Sequence, residues 1–244
     1  GIRYFNGTGA QETVRFKDGF CIELLRKCLM IIRETVGDDA FMVSCGAPLL
    51  AGAGIFNCAR MSCDIIWGKN PSFPTYWQIM QDCLRTVSWR SFLHRKVFVN
   101  DPDGLVLRDV DTGDGYNSTW SEAQLWSIAI AMSGGSVLSN DELENLSPAR
   151  RSLYTRLLPP LDKAGHPVDM FERPVPTAYV LEYRDVRFLA LYNFDDKMKN
   201  LSYDLAKIGM AGALAVDCMT GKVYGICDTL TIENADPHSG VMVL

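Results

Sequence analysis

Phe41-Met-Val-Ser-Cys-Gly-Ala-Pro-Leu-Leu50 is a short apolar run that Gly46 and Pro48 interrupt, and Arg60-Met-Ser-Cys-Asp64 follows it closely along the chain. The apolar run predicts a buried strand that ends in a loop, and a second short strand follows over 59–64. Arg60 and Asp64 stand among small or apolar neighbours, where an unpaired charge is costly. The pair is therefore either a structural ion pair at a strand end or part of a functional site.

The composition is that of an ordinary soluble globular protein, with 48% hydrophobic and 22% charged residues. A chain of 244 residues is long enough for one large or two modest domains with a real core. The net charge is −5 and no basic cluster occurs, which argues against a nucleic-acid partner. No apolar run reaches the roughly 18 residues of a transmembrane helix, so no membrane partner is expected.

The cysteines and histidines give no metal-binding pattern. The chain has eight cysteines, none in a Cys-x-x-Cys pair, and only three histidines. A zinc site is therefore not expected, and we expect no cofactor of any kind. Most of the cysteines lie in apolar contexts that are typical of small core residues. This usage favours a reducing compartment, so a cytoplasmic location is expected, with secretion as the alternative.

Strand and helix patterns alternate through the first two thirds of the chain. Short apolar runs predict the strands, and apolar residues at helical spacing predict the helices between them. This alternation predicts a parallel sheet with crossover helices. The expected order is a strand over 1–5, a helix over 11–36, strands over 41–45 and 59–64, a helix over 75–93, a strand over 96–99, a helix over 120–132, a strand over 134–138, and a helix that begins at Ser147 and stops before Pro159.

Polar residues follow directly after the predicted strands. Side chains at the carboxyl ends of parallel strands form the active sites of (β/α)8 barrels, so these residues are candidates for one shared site. They are Cys45, Asp64, Asp101, Asp103, Asn140 and Asp141.

The character of the sequence changes after Leu161. Short β-type runs occupy 179–183, 187–192, 214–216, 222–224 and 241–244, and no helix of useful length occurs between them. Turn residues such as Thr220-Gly221 separate these runs. The pattern predicts two domains, an α/β barrel-type domain over 1–162 and a small antiparallel β domain over 163–244.

Four ordered motifs resemble the clan of α-galactosidases (melibiases), glycoside hydrolase families 27 and 36. The motifs are Cys45-Gly-Ala-Pro48, the Arg60-x-x-x-Asp64 spacing, Asn100-Asp-Pro-Asp-Gly-Leu105 and Ser133-Gly-Gly-Ser-Val-Leu-Ser-Asn-Asp141. Their shared order along the chain is more specific than any single motif. The resemblance covers nearly the whole chain and implies strands four to eight of a partial (β/α)8 TIM barrel followed by a β-sandwich.

The resemblance implies a retaining glycosidase that hydrolyses terminal α-linked galactose. One carboxylate attacks the anomeric carbon and a second serves first as acid and then as base, about 5–5.5 Å away. Asp64 matches the acid/base, and it must carry a proton when the glycosidic oxygen leaves. Arg60 matches a residue that binds a sugar hydroxyl, because its fork of donors suits a hydroxyl and a carboxylate together. The sugar itself is open between galactose and N-acetylgalactosamine.

Four further residues are candidate substrate contacts by the same resemblance. Cys45 matches a small pocket-lining position. Asp101 and Asp103 either support Arg60 or bind a substrate hydroxyl, and a plain acidic turn is the alternative. Trp67 either stacks on a sugar face or packs at a core or rim position.

The chain departs from the family at the nucleophile. The family carries it in a Lys-x-Asp triplet that ends the fourth strand, but Asn6-Gly-Thr8 follows the strand-like Gly1-Ile-Arg-Tyr-Phe5 here. No Asp or Glu precedes Glu12. The chain is therefore a fragment, a partial barrel, or a degenerate relative that binds sugar without cleaving it. Because a half barrel exposes strand edges and apolar interior, we expect it to dimerise, pair with a missing N-terminal half, or aggregate.

Overall fold

A computed structural model of the chain describes residues 2–5, 11–14, 20–66 and 74–244. These residues divide into two compact units, Gly1–Ala59 and Arg60–Leu244. The described elements, in chain order, are β1 (Ile2–Phe5), β2 (Gln11–Val14), α1 (Phe20–Val36), β3 (Val43–Ser44), β4 (Cys58–Arg60), α2 (Tyr76–Trp89), β5 (Val99–Asp101), α3 (Trp120–Ser133), α4 (Pro148–Arg156), β6 (His166–Pro167), β7 (Ala178–Tyr183), β8 (Val186–Asn193), β9 (Lys199–Asp204), β10 (Ala213–Val216), β11 (Val223–Cys227), β12 (Thr229–Ala235) and β13 (Ser239–Val243). Single turns of 3₁₀-helix occupy Leu49–Gly52, Ser91–Leu93, Leu143–Asn145 and Leu205–Ile208.

The first unit begins with a pair of antiparallel strands, the second of which lies where a helix was predicted. β1 pairs with β2 in antiparallel register, with Ile2 opposite Val14. The expected helix over 11–36 is therefore wrong at its start, and α1 begins at Phe20. Strand pairing with β1 prevails over helical periodicity in a segment that contains the β-branched Thr13 and Val14.

The predicted parallel pairing is present in the first unit, although its strands are short. β3 pairs in parallel with β4, Val43 opposite Cys58 and Ser44 opposite Ala59. The Arg33 side chain on α1 donates to the carbonyl oxygen of Ile55 through both Nε (3.1 Å) and Nη2 (2.9 Å). These bonds hold the helix against the loop between the two strands.

The helices of the second unit begin at clear start signals. α2 and α3 each have a complete capping box, formed by Thr75 with Gln78 and by Thr119 with Glu122. In each box two backbone N–H groups of the first helical turn find side-chain acceptors. α4 has Pro148 at its favoured first position. The predicted helices over 75–93, over 120–132 and from Ser147 are thus confirmed, with ends shifted by a few residues.

α3 forms the centre of the second unit. Leu125, Trp126 and Ile128 have no exposed surface at all, and apolar side chains occur around the whole helix. A helix that is apolar on every face is a buried helix. α3 packs on α2, α4, β8 and β13. The indole nitrogen of Trp126 donates to the carbonyl oxygen of Gly104, 3.0 Å away, which connects the core to the turn after β5.

The structure corrects the strand predicted over 134–138. Gly134 ends α3 in the left-handed conformation, and the segment beyond it makes a single parallel bridge, Leu105 to Ser139. Leu105 N–H donates to Leu138 O (2.8 Å), and Asn140 N–H donates to Leu105 O (2.9 Å). The segment therefore runs beside Leu105 as extended chain without forming a regular strand. The strand expected over 96–99 is observed at Val99–Asp101.

Gly135 lies against the backbone of β5, and this contact gives the first prediction. A Cβ added there would lie 1.8 Å from Asn100 O, whereas at Gly165 the nearest atom would be the flexible Met132 Sδ at 2.9 Å. We expect Gly135→Ala to lower the free energy of unfolding by about 3 kcal/mol or more. Gly165→Ala, the matched control, should lower it distinctly less. Urea unfolding measures both, and equal losses would contradict the close contact.

The β region of the second unit consists of antiparallel sheets, as predicted. One sheet has the strand order β13-β8-β7-β6, and β9 pairs with β12 and β10 with β11. The predicted strands β7, β8, β10, β11 and β13 are confirmed in position within three residues at each end. β9 and β12 were not predicted. The proposed boundary between residues 162 and 163 lies inside the second unit and stays a prediction.

The sheet that contains β7 and β8 buries both of its faces. Tyr179 and Tyr192 pack with the helices in one apolar cluster. Val180 and Leu191 pack in a second cluster with residues of β9 and β12. Because side chains alternate between the faces of a strand, neighbouring residues belong to different cores. This explains why β7 and β8 are almost continuously apolar.

Among the described residues, no helix is long and apolar enough to cross a bilayer.

Candidate active site

Arg60, the last residue of β4, is the centre of an ion-pair cluster. Its Nη1 lies 3.0 Å from Asp64 Oδ1 and 2.8 Å from Asp103 Oδ2. Its Nε lies 3.0 Å from Asp101 Oδ2. The geometry uses the planar fork of the guanidinium, which can hold several carboxylate oxygens at fixed angles. Residues far apart in sequence, 60–64 and 101–103, are thereby brought to one place.

The acidic turn after β5 is built from its own side chains. Asp101 Oδ1 accepts the N–H of Asp103 (2.9 Å), and Asp103 Oδ1 accepts the N–H of Gly104 (2.6 Å). Asp103 has φ +83°, a left-handed conformation that aspartate tolerates better than most residues. The turn and the Arg60 contacts coexist, because the oxygen of each carboxylate that faces Arg60 differs from the oxygen that closes the turn. Asp101 and Asp103 therefore both form the acidic turn and support Arg60. Their contact with a substrate hydroxyl stays a prediction.

The segment that carries Asp64 is held along its length by the same turn. Met61 N–H donates to Asp101 O (2.7 Å), and Ile65 N–H donates to Asp103 Oδ2 (2.8 Å). Ser62 Oγ donates to the carbonyl oxygen of Pro102, 2.9 Å away. These bonds on both sides of Asp64 fix its backbone, so the direction of its side chain depends on the turn.

Burial divides the carboxylates of the cluster into two kinds. The side chains of Asp101 and Asp103 are 3% and 10% exposed, while that of Asp64 is 67% exposed. The buried pair neutralises Arg60 and takes backbone donors. Asp64 is oriented by the guanidinium and faces solvent, which is the arrangement of a group that can exchange a proton with a bound molecule.

Among the described residues of the second unit, Asn140 and Asp141 lie outside this cluster. Cys45 follows β3 in the first unit and is exposed. Trp67 lies outside the described residues, so its contacts with a sugar stay a prediction. Asn140 and Asp141 were grouped with the site, but the buried Asp141 pairs with Arg108 at 2.7 Å and accepts the N–H of Leu107 at 2.6 Å. Asp141 therefore stabilises the fold around residues 105–108.

Sequence reasoning missed two groups that support the cluster. Ser136 Oγ donates to Asp101 Oδ1, 3.2 Å away, so this carboxylate also has a partner from the segment after α3. Arg90 Nη1 donates to the carbonyl oxygen of Met61, 2.7 Å away. Ser136 lies inside a motif that carries the family resemblance, and that position was the available signal for its role. No comparable signal marks Arg90.

Comparison with known proteins gives a clear likeness in structure. No protein-family profile matches the chain. A variant of the family 27 β-L-arabinopyranosidase from Geobacillus stearothermophilus, in complex with arabinose, superposes with TM-score 0.70 at 19% identity, over 89% of this chain and 53% of that chain. α-Galactosidase I from Mortierella vinacea gives TM-score 0.67 at 12% identity, over 91% and 62% of the two chains. The α-galactosidase from Saccharomyces cerevisiae, with raffinose, gives 0.67 at 12%, over 91% and 67%.

These likenesses establish the fold of the chain. It is an α/β fold with several antiparallel sheets, of the kind found in the α-galactosidase clan that includes glycoside hydrolase family 27. The resemblance that the four motifs predicted is thus confirmed at the level of the fold. The chain spans between about half and two thirds of the length of these three proteins.

Among the described residues, no group of three or more His, Cys, Asp or Glu is arranged to hold a metal ion.

Proposed function

We propose that this chain is part of a retaining glycosidase that acts on terminal α-linked galactose. Residues 1–162 would contribute strands four to eight of a (β/α)8 barrel, and residues 163–244 the β-sandwich that follows it. The observation that supports this most directly is the Arg60 cluster, in which Asp64 is oriented 3.0 Å from the guanidinium and remains 67% exposed. The fold of the α-galactosidase clan supports the same reaction class.

Asp64 is the general acid/base in this proposal. Its protonated carboxyl gives a proton to the departing glycosidic oxygen, and its carboxylate then takes a proton from the water that hydrolyses the glycosyl intermediate. Arg60 fixes the orientation of Asp64 through Nη1. A side chain that must donate and then accept a proton has to keep one orientation through both steps, and the guanidinium supplies that constraint.

The nucleophile is not Asp101 or Asp103. Both carboxylates are buried, bound to Arg60, and engaged by backbone N–H groups. A carboxylate committed in this way is a poor attacking group, because attack would break several charge-assisted hydrogen bonds. In this proposal the nucleophile is a carboxylate that is not visible in this chain, and it attacks the anomeric carbon from about 5–5.5 Å away from Asp64.

The remaining residues form the sugar site in this proposal. Arg60 and Asp103 bind sugar hydroxyls, and Asp101 holds Arg60 in place with a side chain that is only 3% exposed. Cys45 lines the pocket at a position where a small side chain leaves room for the sugar. Trp67 stacks on the face of the sugar ring, because the C–H face of a pyranose suits an aromatic surface.

Hydrolysis of matched aryl glycosides tests the proposal. The 244-residue chain, and any longer product of its gene, would be given aryl α-galactoside, aryl β-galactoside and aryl α-glucoside. We expect any longer product that supplies the nucleophile to cleave the α-galactoside alone and to release α-galactose first in proton NMR, because the mechanism retains configuration. The 244-residue chain by itself should show no appreciable turnover, since no nucleophile is visible in its sequence. Release of β-galactose first, or faster cleavage of the β-galactoside, would contradict it.

A sugar-binding protein without hydrolysis is the second candidate. The sequence Asn6-Gly-Thr8, which stands where the family has its Lys-x-Asp nucleophile triplet, favours it. Titration with galactose separates the two functions. Binding of galactose by a protein of confirmed mass that cleaves none of the three glycosides would favour this second function.

A further inference from the structure

Two thiols lie side by side next to the candidate acid/base. Cys63 Sγ and Cys83 Sγ are 3.5 Å apart. Cys83 Sγ also lies 3.4 Å from the carbonyl oxygen of Cys63. Cys63 directly precedes Asp64, and Cys83 belongs to α2. The contact therefore connects the segment that carries Asp64 to a buried helix.

The two thiols differ in exposure. Cys83 is fully buried among the residues of the helical core, with 0% exposure. Cys63 is partly exposed. Cys63 is therefore the thiol of the pair that lies nearer to solvent, and Cys83 lies behind it in the core. This is the arrangement of an attacking thiol with a resolving thiol behind it.

The hydrogen bond between the two thiols favours ionisation of Cys63. The hydrogen bond from Cys83 lowers the pKa of Cys63 to about 7, against the opposing effects of burial and of the nearby carboxylates Asp82 and Asp64. The same hydrogen bond, together with burial, raises the pKa of Cys83. At neutral pH Cys63 therefore carries much of the thiolate character, and thiolates are the nucleophiles in thiol–disulfide exchange.

We propose that Cys63 and Cys83 are a thiol–disulfide exchange site that controls the position of Asp64, a regulatory role that rests on the proposed glycosidase function. The oxidant class is a small-molecule disulfide such as glutathione disulfide. The Cys63 thiolate attacks one glutathione sulfur, forms a mixed disulfide and expels a glutathione thiolate. Cys83 then loses its proton, attacks the Cys63 sulfur and expels the second glutathione. Two protein thiols are oxidised and one glutathione disulfide is reduced to two thiols.

Closing this disulfide must move the segment around Asp64. The sulfurs are 3.5 Å apart and have to approach to about 2.05 Å, so Cys63 is drawn toward α2. Asp64 follows Cys63 and holds Arg60 at 3.0 Å. A displacement of this size at a catalytic group costs large factors in rate. We therefore expect the disulfide form to cleave an α-galactoside at least about tenfold more slowly than the dithiol form.

Peptide mass mapping after incubation in graded glutathione buffers tests the exchange site without any activity, and it separates this site from exposed thiols such as Cys28 and Cys45. The wild type should give a crosslinked peptide that contains residues 63 and 83 and has lost two hydrogen atoms, and dithiothreitol should restore both thiols. Cys83→Ser should instead retain one glutathione on Cys63. Cys63→Ser should gain none on the buried Cys83. The matched control is Cys218→Ser, because burial raises the pKa of Cys218 to about 11 and this thiol should take no part.

The outcomes test the exchange site and the proposed glycosidase function separately. A stable glutathione adduct on wild-type Cys63, or no crosslink in any buffer, overturns the exchange site whatever the activity. A crosslinked protein whose α-galactoside turnover equals that of the reduced protein overturns the regulatory role. Absence of turnover even in the fully reduced protein counts against the proposed function alone, and the mass pattern still decides whether the disulfide forms.

Discussion

Replacing Arg60 by Met is expected to lower the free energy of unfolding by about 3–5 kcal/mol, because it leaves buried carboxylates without their cation. The side chains of Asp101 and Asp103 are 3% and 10% exposed, and both contact the Arg60 guanidinium. Met retains most of the apolar stem of arginine, so the loss reports the charge contacts more than the packing. Urea unfolding at neutral pH measures the change.

The control for Arg60→Met is Arg85→Met. Arg85 pairs with Asp82 at 2.7 Å, but both side chains are 48% exposed. Exposed ion pairs contribute little, so this variant should stay within about 0.5 kcal/mol of the parent. If the two variants had the same stability, the cluster around Arg60 would not be held by its charges, and its role in positioning Asp64 would fail as well.

Replacing Asp64 by Asn is expected to have the largest effect on catalysis. Loss of a general acid should slow cleavage of an α-galactoside that has a poor leaving group by about 10²–10⁴-fold. An activated nitrophenyl leaving group needs no proton, so the bond-breaking step on that substrate should slow far less. Steady-state rates on a series of leaving groups, with single-turnover measurements for the activated one, test this dependence.

Asp82→Asn is the matched control for Asp64→Asn, since Asp82 is a half-exposed carboxylate on α2 with its own arginine partner. It should leave the rates on every leaving group close to those of the parent. Asp64→Asn should also leave stability nearly unchanged, because the Asp64 side chain is mostly exposed. Equal slowing on good and poor leaving groups would remove Asp64 from the role of acid.

The helices of the second unit were predicted from the helical spacing of their apolar residues, and local signals fix where each one begins. The capping boxes of α2 and α3 and the proline at the start of α4 depend only on residues within one turn of each helix. Such signals are complete in a short window of sequence, so tertiary structure has little to add. The same reasoning failed at Gln11–Val14, where pairing with Ile2–Phe5 decides the conformation.

The strands that escaped prediction have a weaker signal. β12 buries Leu230 and Ile232 and exposes the residues between them. β9 buries Leu201 between polar neighbours. Alternation of this kind marks a half-buried strand, but a search for continuous apolar runs passes over it. β7 and β8 were found because both of their faces are buried and their runs are nearly continuous.

The sequence predicted which residues belong to the candidate site but not how they are arranged. The spacing of Arg60 and Asp64 and the acidic turn at Asp101–Asp103 are visible in sequence. Their contacts join residues about forty positions apart, and no local pattern specifies such a distance. The exposure of Asp64 and the support from Ser136 therefore emerged only from the structure. The predicted roles of Cys45 and Trp67 in sugar binding stay predictions.

The sheet formed by β6, β7, β8 and β13 has a consequence for how the second unit can be divided. Tyr192 packs in the apolar cluster that includes the helices, and Leu191, its neighbour in sequence, packs in the second apolar cluster. Separating the chain near residue 163 would expose the tyrosine-bearing face of the sheet in the β portion. It would also remove the strands that cover α3. Melting of either interior therefore undermines the other, and the helical and β portions lose their structure together, as one cooperative block.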